Sequence, residues 1–149
     1  MRLPILFALA LLGGFCATGA LAVDNVTSSD APDLASVRAK IKAQDYKAAI
    51  EELTPMLTSN QHADVYNLMG FSLRKTGDYK QAYTFYRKAL DFDPEHKGAL
   101  EYLGELYVET GQIDKAKENE ARLKSLCPSG CEELADLQKA IGSASAKVN

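Results

Sequence analysis

This chain of 149 residues lacks several patterns, and each absence excludes a class of function. Nowhere do Lys and Arg cluster: 17 basic residues face 20 acidic ones, for a formal charge of −3. A nucleic-acid partner demands basic side chains that displace counterions from phosphates, so none is expected. There is no glycine-rich phosphate loop, no nucleophile elbow and no His-Glu-x-x-His helix. The expectation is therefore a non-enzyme without a cofactor. Histidine is scarce. His62 and His96 fall in equivalent turns, and packed helices ~8–10 Å apart would hold them too far from each other to share one zinc. Cysteine is scarce too, with only Cys16, Cys127 and Cys131.

One long apolar run exists, at the N-terminus. Arg2 precedes Leu3 to Leu12, and small residues follow, ending in Ala20-Leu21-Ala22. A positive start, an apolar stretch and a small-residue site make the pattern of a secretory signal peptide, here residues 1–22. A retained anchor is the alternative, since roughly 20 apolar residues can span a bilayer. Pro4, Gly13, Gly14, Thr18 and Gly19 dilute the run, which favours cleavage and no stable membrane insertion afterwards. Phe15 is too bulky to precede a lipidated Cys16. Losing Arg2 with this segment takes the formal charge from −3 to −4. Export also means an oxidising compartment, where the two remaining cysteines are expected to pair.

The rest of the chain repeats itself. Ala49, Ala82 and Ala116 are 33 and 34 residues apart, and Gly70/Gly104, Gly77/Gly111, Pro94/Pro128 and His62/His96 all keep the step of 34. A period of this length, with Gly, Ala and Pro in phase, means one supersecondary unit stacked repeatedly. Each unit reads as two helices. Tyr66, Met69 and Leu73 lead to a glycine stop at Gly77, and Asp78 with Gln81 caps the second helix. Ala82, Phe85, Tyr86, Ala89 and Leu90 give that helix one apolar face. Gly70 opposite Ala82, and Gly104 opposite Ala116, are expected where the two helices of a unit cross.

These residues resemble the tetratricopeptide repeat family. Residues 63–96 carry its pattern at Tyr66, Met69, Gly70, Leu73, Gly77, Tyr79, Ala82, Tyr86, Ala89 and Pro94. Residues 97–130 carry it at Leu100, Leu103, Gly104, Tyr107, Gly111, Ala116, Leu123 and Pro128, with Glu120 standing where an aromatic is usual. Residues 32–62 form a degenerate first repeat: Asp45, Tyr46 and Ala49 fit, Val37 replaces a small residue, and Pro55 is expected to kink or shorten its helix. A capping helix is expected over 131–141, opened by Ser129-Gly130-Cys131-Glu132 as a capping box, with Leu134, Leu137 and Ile141 on its apolar face. Residues 23–31 and 142–149 lack periodicity and are expected to be a flexible linker and tail. The resemblance implies an all-α, right-handed solenoid of about three helix-turn-helix units plus this cap.

It also implies a concave groove lined by the first helix of each unit, in which a protein or peptide partner would lie. The residues carried over are Arg38 and Lys42, then Asn67, Phe71, Arg74 and Lys75, then Glu101, Tyr102, Glu105 and Glu109. Such a groove would be basic at its N-terminal end and acidic at its C-terminal end, with Phe71 and Tyr102 between. The glutamates at i, i+4 and i+8 share one helix face; a solvated surface is the plainer reading of them. They also stand where the carboxylate-binding members of the family place basic side chains.

Cys127 and Cys131 straddle the join to the cap. As a disulfide they would staple it, worth about 2 kcal/mol for so short a loop. A redox pair or a soft-metal site for Cu(I) is the alternative. The function expected is an exported, non-enzymatic interaction module, an adaptor or assembly factor of the cell envelope in the periplasm of a Gram-negative bacterium. A thiol-redox or copper-handling protein acting through the two cysteines, or a structural subunit of an envelope complex, are the alternatives. The sequence leaves the oligomeric state open.

Overall fold

Aspartate and a left-handed turn residue set the rhythm of the helices. The computed structural model describes residues 31–146. The expected signal peptide, all but the last residue of the 23–31 linker, and residues 147–149 lie outside that range. The described residues form seven helices: α1 (Ala35–Lys42), α2 (Tyr46–Ser59), α3 (Ala63–Lys75), α4 (Tyr79–Phe92), α5 (Lys97–Glu109), α6 (Ile113–Leu126) and α7 (Glu132–Ala146). None is long and apolar enough to cross a membrane. Asp45 and Asp78 cap α2 and α4 by accepting from the backbone N–H of Ala48 and Gln81. That satisfies donors left free at every helix start. Before α2, α4 and α6 the chain turns through Gln44, Gly77 and Gly111, all with positive φ (61°, 88° and 75°). Only at Gln44 is this conformation held by a residue with a Cβ, so the degenerate first repeat keeps the turn without the residue that suits it.

Helices stack in sequence order. Each packs on its successor, and α5 also packs on α3 and α7. One continuous apolar core runs from Leu34 to Ile141, with Val37, Leu53, Val65, Tyr86, Leu100, Leu123 and Leu137 fully enclosed. The architecture is the all-α helical repeat expected from the 34-residue period. Gly70 acts as anticipated: a Cβ there would lie 2.7 Å from the Tyr86 ring and 3.2 Å from the Ala82 carbonyl oxygen. Gly104 differs. A Cβ on it would meet Leu137 of α7 at 2.6 Å, so this glycine seats the capping helix, a contact the repeat pattern did not announce.

Three other expectations need correction. Pro55 lies inside α2, yet the helix runs 14 residues, the same as α4 and α6. The carbonyl that loses its partner belongs to exposed Glu51, where water can replace the missing N–H. The capping helix does not stop at residue 141. It continues to Ala146, with the Ser143 and Ser145 hydroxyls donating to the Lys139 and Ile141 carbonyl oxygens. Its start is not a capping box at Ser129 either. Ala135 N–H donates to the Cys131 carbonyl, which makes Cys131 the cap residue, while Gly130 turns the chain at φ 92°. The Cys131 sulfur lies at bonding distance from that of Cys127, the C-cap of α6, with their Cα atoms 5.9 Å apart. The pair therefore ties the end of α6 to the start of α7.

Leu134, Leu137 and Ile141 are buried as their spacing requires, and Glu120 joins the seam differently from the aromatic it replaces. Its carboxylate accepts from the Gln138 side chain at 2.9 Å and pairs with Lys124. The Gly104 contact gives a direct test. Gly104→Ala is expected to lower stability by about 1–3 kcal/mol through overpacking. Hydrogen exchange should speed up first in α7, and a loss of protection confined to α6 would contradict the seating described.

Candidate functional site

Helices α1, α3, α5 and α7 share one face, and the ten groove residues are distributed across the first three. Arg38 and Lys42 are exposed on α1, and Arg38 reaches Asp64 at 3.7 Å. Lys75 is exposed on α3, its ammonium 5.2 Å from the centre of the Phe71 ring. Phe71 is not a free groove residue. It is half-buried between Tyr46 and Tyr102, with ring centroids 6.2 Å and 4.8 Å away.

Arg74 is the centre of this face. Its side chain is 2% exposed, and its two terminal nitrogens donate to Glu105 at 2.5 Å and Glu109 at 2.7 Å. The guanidinium also lies 5.6 Å and 5.8 Å from the Phe71 and Tyr102 ring centroids, within range of a cation–π attraction. Burial opposes its charge, but Tyr86, Glu105 and Glu109 outweigh that and hold the proton more firmly than usual. Burial likewise raises the Tyr86 hydroxyl and pushes Tyr102 up to about 12. The acidic end of the groove is therefore offset in part. Glu105 and Glu109 share one guanidinium across the repeat boundary, which balances one of their two charges. Arg74 for its part cannot serve as a carboxylate-binding cation for a ligand while two glutamates occupy it.

Negative charge collects elsewhere. A hollow of about 300 Å³ opens among α1, α3, the N-terminal end of α5 and α7, bordered by Arg38, Asp64, Asn67, Glu101, Tyr102, Glu132, Glu133 and Asp136. Glu101 is 7% exposed. Burial, then Glu105, Asp136 and Glu133, push its carboxyl up to about 8. Asn67 is 5% exposed, and its Oδ1 accepts no hydrogen bond. His96 borders the hollow as well. Through Nδ1 it accepts from the Ala99 N–H to cap α5, and its Nε2 lies 3.1 Å from Asp64 Oδ1. His62 caps α3 in the same way, accepting from Asp64 N–H. Both histidines are thus helix caps, a role their position before each first helix signalled. Among the described residues no group of three or more His, Cys, Asp or Glu is arranged to hold a metal ion.

Sequence reasoning missed that α7 joins this face. Glu132, Glu133 and Asp136, which lie off the apolar face of the cap, border the hollow. The signal that could have found them is Gly104, whose missing side chain fixes how α7 rotates over α5. It also missed buried Asn119, which donates to the Leu100 carbonyl at 2.9 Å and locks α6 to α5.

Two outcomes follow from the charges. Arg74→Ala is expected to cost about 3 kcal/mol in denaturant unfolding, the low end for a broken buried pair, because both glutamates can still reach water. A loss within experimental error would show that the cluster does not hold the repeats together. Glu101 has a folded-state pKa raised above its unfolded value, so its ionisation works against folding. Its contribution is fully favourable below about pH 4.5 and is lost as pH rises towards 8. Glu101→Gln is expected to flatten the fall of Tm across that window and to raise stability at pH 8.5 by on the order of 1–2 kcal/mol. Parallel Tm–pH curves for the two proteins would contradict the burial of this carboxyl.

Comparison with known proteins agrees with this architecture. A tetratricopeptide repeat family profile matches residues 73–118. The BBSome complex member BBS4 of Bos taurus is 33% identical over 79 residues, which is 53% of this chain and 15% of that protein. The chain thus spans only a small part of the length of that curated relative. Among solved structures, PcrH in complex with the chaperone binding region of PopD superposes with a TM-score of 0.65 at 15% identity, covering 77% of this chain and 90% of that one. PcrH with the chaperone binding region of PopB gives 0.62 at 17% identity, over 74% and 89%. At such identities the likeness is one of fold. The described residues form an all-α helical repeat, and the tetratricopeptide profile covers it from the end of α3 into α6.

Proposed function

We propose that this protein is a non-enzymatic interaction module that holds a protein or peptide partner along the face of α1, α3, α5 and α7. The observation that carries this reading is the face itself. Four helices present a hollow beside a rigid floor, where Arg74 is fixed between Phe71, Tyr102, Glu105 and Glu109. A floor already ordered loses little conformational entropy when a ligand settles on it. The PcrH structures, similar in fold over most of their length, were solved with segments of PopD and PopB, and that supports a polypeptide as the occupant here.

Export to the periplasm, and a role as adaptor or assembly factor in the cell envelope, complete the proposal. The signal-peptide pattern of residues 1–22 and the pairing of Cys127 with Cys131 support them. Sulfurs bonded to each other offer no thiolate to copper, so the geometry favours a disulfide over the soft-metal site.

A test by truncating Phe71 or Tyr102 would confuse binding with stability, because both rings flank Arg74. Photo-crosslinking avoids that. A crosslinking residue at Lys42 or Lys75, both exposed on the proposed face, is expected to trap the same envelope protein, whereas one at Arg87 or Glu118, exposed on α4 and α6, traps none. Crosslinks from the α4/α6 positions alone would overturn the assignment of the face.

A further inference from the structure

The hollow beside α7 is built for one kind of chemistry. Asp64, Glu101, Glu132, Glu133 and Asp136 surround it, which gives five carboxyl groups. Acidic clusters are common on protein surfaces and by themselves mark nothing. Here a second feature is present: Glu101, 7% exposed in the wall of the hollow, has a carboxyl that no described residue hydrogen-bonds or pairs with, and the buried side-chain oxygen of Asn67 behind the same wall accepts from nothing. A buried acceptor without a donor is costly, and Arg74 acts on Glu101 only through its field, with no hydrogen bond between them. The terminal nitrogens of Arg74 are taken by Glu105 and Glu109. Arg38 leans on Asp64 from an exposed position at the rim. The hollow thus offers acceptors and negative charge and is short of donors.

We propose that this hollow receives a basic side chain, lysine or arginine, from the polypeptide held on the helical face. The proposal rests on the reading of that face as a polypeptide site. An ammonium brings three donors and a guanidinium five, with no acceptor on either, so either can serve Glu101 and a second carboxylate of the hollow together. A volume of about 300 Å³ admits such a head group with part of its aliphatic stem. An acidic or C-terminal carboxylate ligand is repelled by the same walls. A divalent cation is disfavoured by spacing, since no three of these side chains converge as metal ligands among the described residues. The cation of the partner would thereby fix the register of the bound segment against the stack.

Capped alanine pentapeptides whose central residue is Lys, Arg, norleucine, Gln or Glu test this, titrated into the isotopically labelled full chain and followed by NMR. Lys- and Arg-centred peptides are expected to shift the Asn67 side-chain amide and the backbone of Glu101, Glu133 and Asp136 saturably, at least about tenfold more tightly than the norleucine peptide. Glu101→Gln should remove most of that preference. So should Glu133→Gln combined with Asp136→Asn, two side chains nearer the surface whose loss leaves the core intact. Peptides that bind regardless of central charge overturn the cation pocket and leave the groove reading standing, whereas binding of no peptide overturns both. Free spermidine that saturates the same resonances, with the peptides unable to compete, would assign the hollow to a small polyamine and overturn the proposal.

Discussion

A single guanidinium holds the two best-formed repeats in register. Arg74 leaves α3 near its C-terminal end, crosses to α5 and grips two glutamates one helical turn apart, while rings from both helices cover its faces. Isolated surface ion pairs are worth little. This one is bidentate in effect, enclosed on the arginine side and open to water on the glutamate side, so the cation is fixed without stranding its partners. A lysine in its place would lose the fork and the stacking together. The arrangement also sets where the remaining charge can go. With one guanidinium shared by Glu105 and Glu109, the acids that have no cation of their own are those at the other end of α5 and on α7.

Much of the fold was legible because repetition leaves a period in the chain. Gly77, Gly111, Ala82, Ala116 and the prolines at 94 and 128 mark the turns and crossings directly, and the helices lie where they predict. Where legibility failed, the cause was long-range. Pro55 was read by its backbone cost alone, but an exposed carbonyl absorbs that cost. Gly104 was read as the partner of Ala116 by analogy with Gly70, and its contact with α7 went unannounced. Residues 142–146 carry no apolar period, and side-chain hydroxyls with the anchored start of α7 are enough to continue the helix.

The candidate site was legible as a list and not as an arrangement. All three acidic groups of α5, Glu101, Glu105 and Glu109, were read as one stripe. The structure gives them two fates: two share the Arg74 guanidinium, one is buried with its proton affinity raised. Nothing local distinguishes them. The difference comes from a residue more than thirty positions earlier and from a helix that begins more than twenty positions later. Asn67 and Asn119 were invisible for the same reason, since a lone polar residue on a helical face does not announce which helix will cover it.

The seating of Leu137 over Gly104 has a consequence for how the chain ends. In a stack of repeats the last helix is ordinarily a lid, required only to shield the apolar edge beneath it. Here the lid is also a wall, because its first turns carry three of the acids around the hollow. Shielding asks for any amphipathic helix, but the wall asks for this one at this rotation, pinned at its start by Cys127 and Cys131 and along its length by one missing side chain. A chain cut after α6 would lose the cover and the hollow together, and grafting a generic cap onto it would restore the first without the second.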